Sequence, residues 1–156
     1  MEHRLPQGGA QDTAAGLIAK GDDMQVAPLN YLAVAAAAVA GFLASWAWYA
    51  IFGKAWAGAL GKKPADMKPT PVPYMIAAVA SLLMAWMLAG LMSHLNQVNV
   101  QGGVISGLFV WVGFVLTTVG VNQAFQGVKP AVTAIDVGGW FIVILVMGAV
   151  IGVFGS

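Results

Sequence analysis

Four long stretches of this chain, residues 29–52, 73–95, 103–121 and 138–154, contain no Asp, Glu, Lys or Arg. About 20 apolar residues, rising 1.5 Å each, cross the roughly 30 Å hydrocarbon core of a bilayer. An unsatisfied backbone group in lipid costs several kcal/mol, so apolar runs of this length must be helical. The pattern therefore predicts an all-α protein, an integral membrane four-helix transmembrane bundle. Composition agrees: 8% of residues are charged, against about 25% in a typical soluble domain. There is no cysteine, which excludes disulfides, thiolate metal sites and cysteine nucleophiles.

Residues 1–28 are polar and Gly/Ala-rich, with Glu2, Arg4, Asp12, Lys20, Asp22 and Asp23. They lack the apolar core of a signal peptide. They also cannot bury enough surface to fold alone, so a flexible tail is expected. Met24 stands just ahead of the first apolar run, and translation from that position is an alternative to Met1. The transmembrane domain is expected over residues 29–156.

The first run closes on Ser45-Trp-Ala-Trp-Tyr-Ala-Ile-Phe-Gly-Lys-Ala-Trp56. Amphipathic rings collect at the membrane–water boundary, and a lysine stem can lie along apolar surface with its charge in the headgroups. Trp46, Trp48, Tyr49, Lys54, Trp56 and Trp140 are therefore expected as interface anchors. The loop after the first run carries Lys54, Lys62, Lys63 and Lys68, and the loop after the third carries Lys129. Basic loops stay in the cytoplasm, so both termini should be periplasmic. The lysine-rich loop should also touch anionic lipid. A net charge of +1 gives no ground for a nucleic-acid partner.

Small residues recur at helical spacing, among them Gly41, Ser81, Gly103, Gly107, Gly148 and Gly152. Such faces let helix backbones approach closely. Packing within one subunit is the simpler outcome, and a self-association face is the alternative. The Gly148/Gly152 face is expected to find its partner within the chain, with the ladders at Ala33/Ala37/Gly41 and Ala77/Ser81/Ala85 as matching surfaces. Trp86 and Trp111 stand equally far from the turn between the second and third runs. An aromatic core layer near mid-bilayer is expected there, its indole N–H groups served by Ser81, Thr117 or water. Asp136 precedes the fourth run and is expected to cap that helix. No acid falls inside a predicted span, which argues against a proton relay or cation pathway. His94 has no companion ligands in sequence, so no metal or haem site is expected. No serine triad, paired carboxylates, phosphate loop or metal-ligand spacing is present.

Two segments carry a family likeness. One is Asn30-Tyr-Leu-Ala with Trp48-Tyr49 and Phe52-Gly-Lys-Ala-Trp56; the other is Gly107-Leu-Phe-Val-Trp-Val-Gly-Phe114 with Thr117-Thr118, Asn122, Gly127, Pro130 and Met147-Gly-Ala149. Together, from Asn30 to the C-terminus, they resemble a bacterial domain-of-unknown-function family of small four-helix membrane proteins. The resemblance implies a start just before the first helix, and it brings no catalytic residues. The expected function is non-catalytic: an inner-membrane structural or accessory subunit packing with itself or a larger membrane complex. No enzyme activity, cofactor or metal is expected. A small oligomeric transporter or channel is the alternative.

Overall fold

The computed structural model describes residues 28–63 and 70–155. The expected tail, the Met24 start and Lys68 lie outside the described residues. Four helices follow one another: α1 (Tyr31–Ala59), α2 (Pro71–His94), α3 (Val100–Phe125) and α4 (Pro130–Gly155). No strand occurs among the described residues. All four helices are long and apolar enough to cross a membrane.

Local chemistry explains where each helix starts and stops. The Asn30 side chain accepts from the N–H groups of Leu32 and Ala33, both at 3.1 Å, and so caps α1. Asn99 caps α3 through the N–H of Gly102 at 2.8 Å. Pro71 opens α2 and Pro130 opens α4, where a missing N–H costs nothing. The first three helices end alike. Gly61, Asn96 and Gly127 take left-handed φ values of 72°, 56° and 66°. The following N–H of Lys62, Gln97 and Val128 then reaches back to the carbonyl of Ala57, Met92 and Gln123. This paired closure satisfies carbonyls that the helix end would otherwise strand.

Three boundaries depart most from the sequence-based expectation. Helix α1 runs on through Gly53, Lys54 and Trp56 to Ala59, so the aromatic stretch is helical throughout. Helix α4 begins at Pro130 rather than Gly138, and α3 persists to Phe125. The expected loop 122–137 is therefore mostly helix. Asp136 lies inside α4 and does not cap it.

Helix α4 is the hub. It lies between α1 and α3 and packs along both, while α2 leans on α1. Val143, Ile144, Met147 and Ile151 of α4 are buried, with Ala37 of α1 and Ala85 and Met92 of α2 in the same core. The buried positions of α2 all fall from Ser81 onward, towards the turn that joins it to α3. Helices α2 and α3 touch little, so the assembly is open on one side and not a closed four-helix ring.

Around this core the perimeter is apolar. Ile51, Phe109, Phe114 and Phe125 are between 71% and 91% exposed. Water would not tolerate contiguous surface of this kind, whereas lipid would.

Candidate functional site

Asp136 is the sixth residue beyond Pro130, about 9 Å along α4 at 1.5 Å per residue. Tyr49 Oη of α1 donates to its Oδ1 at 2.8 Å, and Gln123 Nε2 of α3 donates to its Oδ2 at 2.7 Å. The neighbouring carbonyls are engaged as well. Trp48 Nε1 donates to Ile135 O at 3.0 Å, and Trp111 Nε1 donates to Val137 O at 2.8 Å. Residues Ile135, Asp136 and Val137 thus collect donors from the helices on both sides.

Packing and hydrogen bonding reinforce each other here. The Trp48 ring lies across α4, where a Cβ at Gly138 or Gly139 would come within 2.9 Å of it. That ring also stacks on Phe52 with centroids 4.3 Å apart. Tyr49 meets Trp56 edge-on at 5.8 Å, and Trp111 meets Phe141 at 4.9 Å. Trp56 Nε1 and Gln123 Oε1 are buried and have no hydrogen-bond partner.

A local irregularity in α3 brings Gln123 to this place. Gly103 and Gly107 face α4 in the first half of the helix. At about 100° per residue, a regular helix would carry Gln123 some 160° round the axis from Gly107. Trp111–Leu116 instead forms a π turn, and the extra residue it accommodates takes back about 100°. Thr117 Oγ1 donates to Gly113 O at 2.8 Å and to Phe114 O at 3.3 Å, serving carbonyls of the widened turn.

Other expected residues take different places. Trp86 is 46% exposed on α2, and the ring partner of Trp111 is Phe141; the expected Trp86–Trp111 layer does not form. The acceptor for the Trp111 indole is a carbonyl of α4, because the residues before Gly138 are already helical and in reach. Trp46 is 63% exposed and Lys54 is exposed. Trp48 and Tyr49, expected as interface anchors, give their polar atoms to α4. Trp140 is half-buried against the core. Ser81 is buried on α2.

The glycines form a seam at the other end of the molecule. A Cβ on Gly103 would run into the Gly148 carbonyl, and the reverse holds equally. Gly152 lies against the backbone of Asn99 and Val100, and Gly107 against Ile144. Gly41 makes room for the Met147 side chain. The main partner of the Gly148/Gly152 face is therefore α3, not the ladders of α1 and α2. His94 is exposed near the α2–α3 turn. Among the described residues no three His, Asp or Glu side chains gather as a metal site would require.

Chemically, the Asp136 cluster is a clasp. Both carboxylate oxygens accept from neutral donors, the pattern that satisfies an acceptor-only group. Tyr49 and Gln123 were not singled out for this role in the sequence. The available signal was Pro130: reading it as the opening residue of a helix puts Asp136 inside α4.

A family described as a protein of unknown function (DUF1761) matches residues 32–152. No curated protein and no solved structure matches the chain. The small-residue seam and the polar clasp fall within the matched residues, which take in nearly all of the four apolar helices, and the chain belongs to the DUF1761 family.

Proposed function

We propose that this protein is a non-catalytic, multi-pass protein of a bacterial inner membrane, a structural or accessory subunit that packs with itself or with a larger membrane assembly. Its lysine-bearing loops lie in the cytoplasm against anionic lipid, and both termini are periplasmic. The observation that supports the reading is the close backbone seam of Gly103, Gly107, Gly148 and Gly152, which devotes that end of the α3–α4 interface to packing. The outward faces of α2 and α3, with Met75, Phe109 and Phe114 more than 65% exposed, offer surface for a neighbour. The natural chain has no cysteine, so Phe114→Cys gives a single attachment point. A short thiol-anchored photo-cross-linker in intact membranes should yield one discrete higher-mass species, identified by mass spectrometry. A protein that stays monomeric from this and three further single-cysteine positions on α2 and α3 would overturn the reading. Phosphatase and cytoplasmic reporters fused at the C-terminus test the topology.

A specific feature favours transport as the second reading. Asp136 lies within a helix long enough to span, where an ionisable residue commonly marks an ion path, and Oε1 of its partner Gln123 is unpartnered. Proteoliposomes loaded with a pH dye would then show a proton leak that Asp136→Asn abolishes.

A further inference from the structure

Helices α2 and α3 leave the turn at 95–99 together and then diverge. Between them lies a cleft of about 370 Å³, walled by Leu83, Met87 and Leu91 of α2 and Val110 of α3, and floored by Ile144 and Met147 of α4. Every lining side chain is apolar. The cleft therefore offers water no partners, and water needs two to four of them. Its size falls in the range of ligand pockets, about 300–1,000 Å³. A transmembrane helix, about 10–12 Å across, would seat only a ridge of its side chains in a cleft of this size. A slender, flexible chain does fit, and methionine walls adapt to such an occupant.

The charge distribution names the kind of molecule. From residue 71 to 128 the sequence contains no Asp, Glu, Lys or Arg. Above the cleft, at the turn, stand exposed His94, Asn96, Gln97, Asn99 and Gln101. The four amides donate and accept hydrogen bonds but offer an anion no fixed counter-charge. Lys54, Lys62, Lys63 and Lys129 are all at the opposite end of the helices. Hydrogen-bonding amides without lysine suit a zwitterionic phosphate–amine headgroup better than an anionic one. We infer that this cleft holds one acyl chain of a zwitterionic phospholipid, drawn from the leaflet on the α2–α3 turn side. This rests on the membrane-spanning reading and is independent of the accessory role.

The test is native mass spectrometry of the full chain released from nanodiscs containing equal phosphatidylethanolamine and phosphatidylglycerol. One phosphatidylethanolamine should stay bound per chain. Met87 is 65% exposed, so Met87→Trp can fill the cleft without disturbing the core. Retention should fall about tenfold, the loss expected when roughly ten van der Waals contacts between the chain and the cleft wall are displaced. Met75→Trp, 67% exposed and not part of the cleft lining, should retain lipid as the natural chain does. Leu83→Trp serves in place of Met87→Trp if the latter does not accumulate. No retained lipid, equal retention in the Met87 and Met75 variants, preference for phosphatidylglycerol, or a lipid-free dimer that Met87→Trp dissociates would each overturn the inference. Extraction of the protein from membranes by alkaline carbonate would instead defeat the membrane-spanning reading.

Discussion

The two ends of helix α4 are joined to α3 by opposite means. Towards the C-terminus, Gly148 and Gly152 meet Gly103 and Asn99 backbone to backbone. Towards the N-terminus, Asp136 and its neighbouring carbonyls meet Gln123 and Trp111 through hydrogen bonds. The first contact works by subtraction, since removing side chains lets dispersion act over a long close approach. The second works by addition, since large rings and polar tips reach across a wider gap. Without a hydrophobic drive between helices in lipid, a chain has these two ways of holding them together. The difference shows in tolerance: a backbone seam cannot yield to an added side chain, while a hydrogen-bonded clasp can lose one member and keep the rest.

The largest effect should come from breaking the seam. Gly148→Leu puts a side chain into the Gly103 carbonyl, where no flexible group can move aside. Overpacking costs about 1–3 kcal/mol and occasionally more; the upper end is expected here, read as a collapse of thermal stability in detergent. Unchanged melting with loss of a cross-linked dimer would move this face to a subunit interface.

Breaking the clasp should cost less. Asp136→Ala leaves the Tyr49 hydroxyl and the Gln123 amide without their acceptor, and a stranded buried donor costs about 1–3 kcal/mol. Membrane hydrogen bonds measured by double-mutant cycles average nearer 0.6 kcal/mol, so a loss of roughly 1–2 kcal/mol is expected. A cycle of Tyr49→Phe with Asp136→Ala should show positive coupling. Additive single effects would mean that the two groups do not support each other.

A smaller effect isolates one bond. Trp111→Phe keeps a ring against Phe141 but removes the donor to Val137 O. A loss of about 0.5–1.5 kcal/mol is expected, with stability measured by urea or thermal unfolding in detergent. The smallest effect should be at Trp86, whose ring is 46% exposed. Trp86→Ala should stay within about 0.5 kcal/mol; a loss as large as that of a buried aromatic, about 3–5 kcal/mol, would return it to the core.

Some of the seam was legible in sequence and little of the clasp was. Gly103, Gly107, Gly148 and Gly152 stand out by spacing alone, because close approach demands the absence of a side chain at every fourth position. Their partner helix did not stand out, since ladders of the same kind occur on α1 and α2. Asp136 was misread because Asn122, Gln123, Lys129, Pro130 and Asp136 together look like a loop. What makes these residues compatible with helix is a Tyr and a Trp that lie 87 positions away in the chain. No local pattern carries that information. The π turn is equally invisible, because it answers to the need to aim Gln123 at α4 and not to any propensity of Trp111–Leu116.

The sequence by itself determined four helices, because apolar runs long enough to cross lipid leave the backbone only one way to satisfy its hydrogen bonds. It determined that close backbone contacts would occur, because glycines at helical spacing permit little else. Only the tertiary structure decided that α4 is the hub, that α2 and α3 part to leave a cleft, and that Asp136 is clasped within a helix instead of capping one. Those outcomes depend on which surfaces meet. Lipid treats every apolar face alike, so the choice among faces is made by shape and by polar partners distant in the chain.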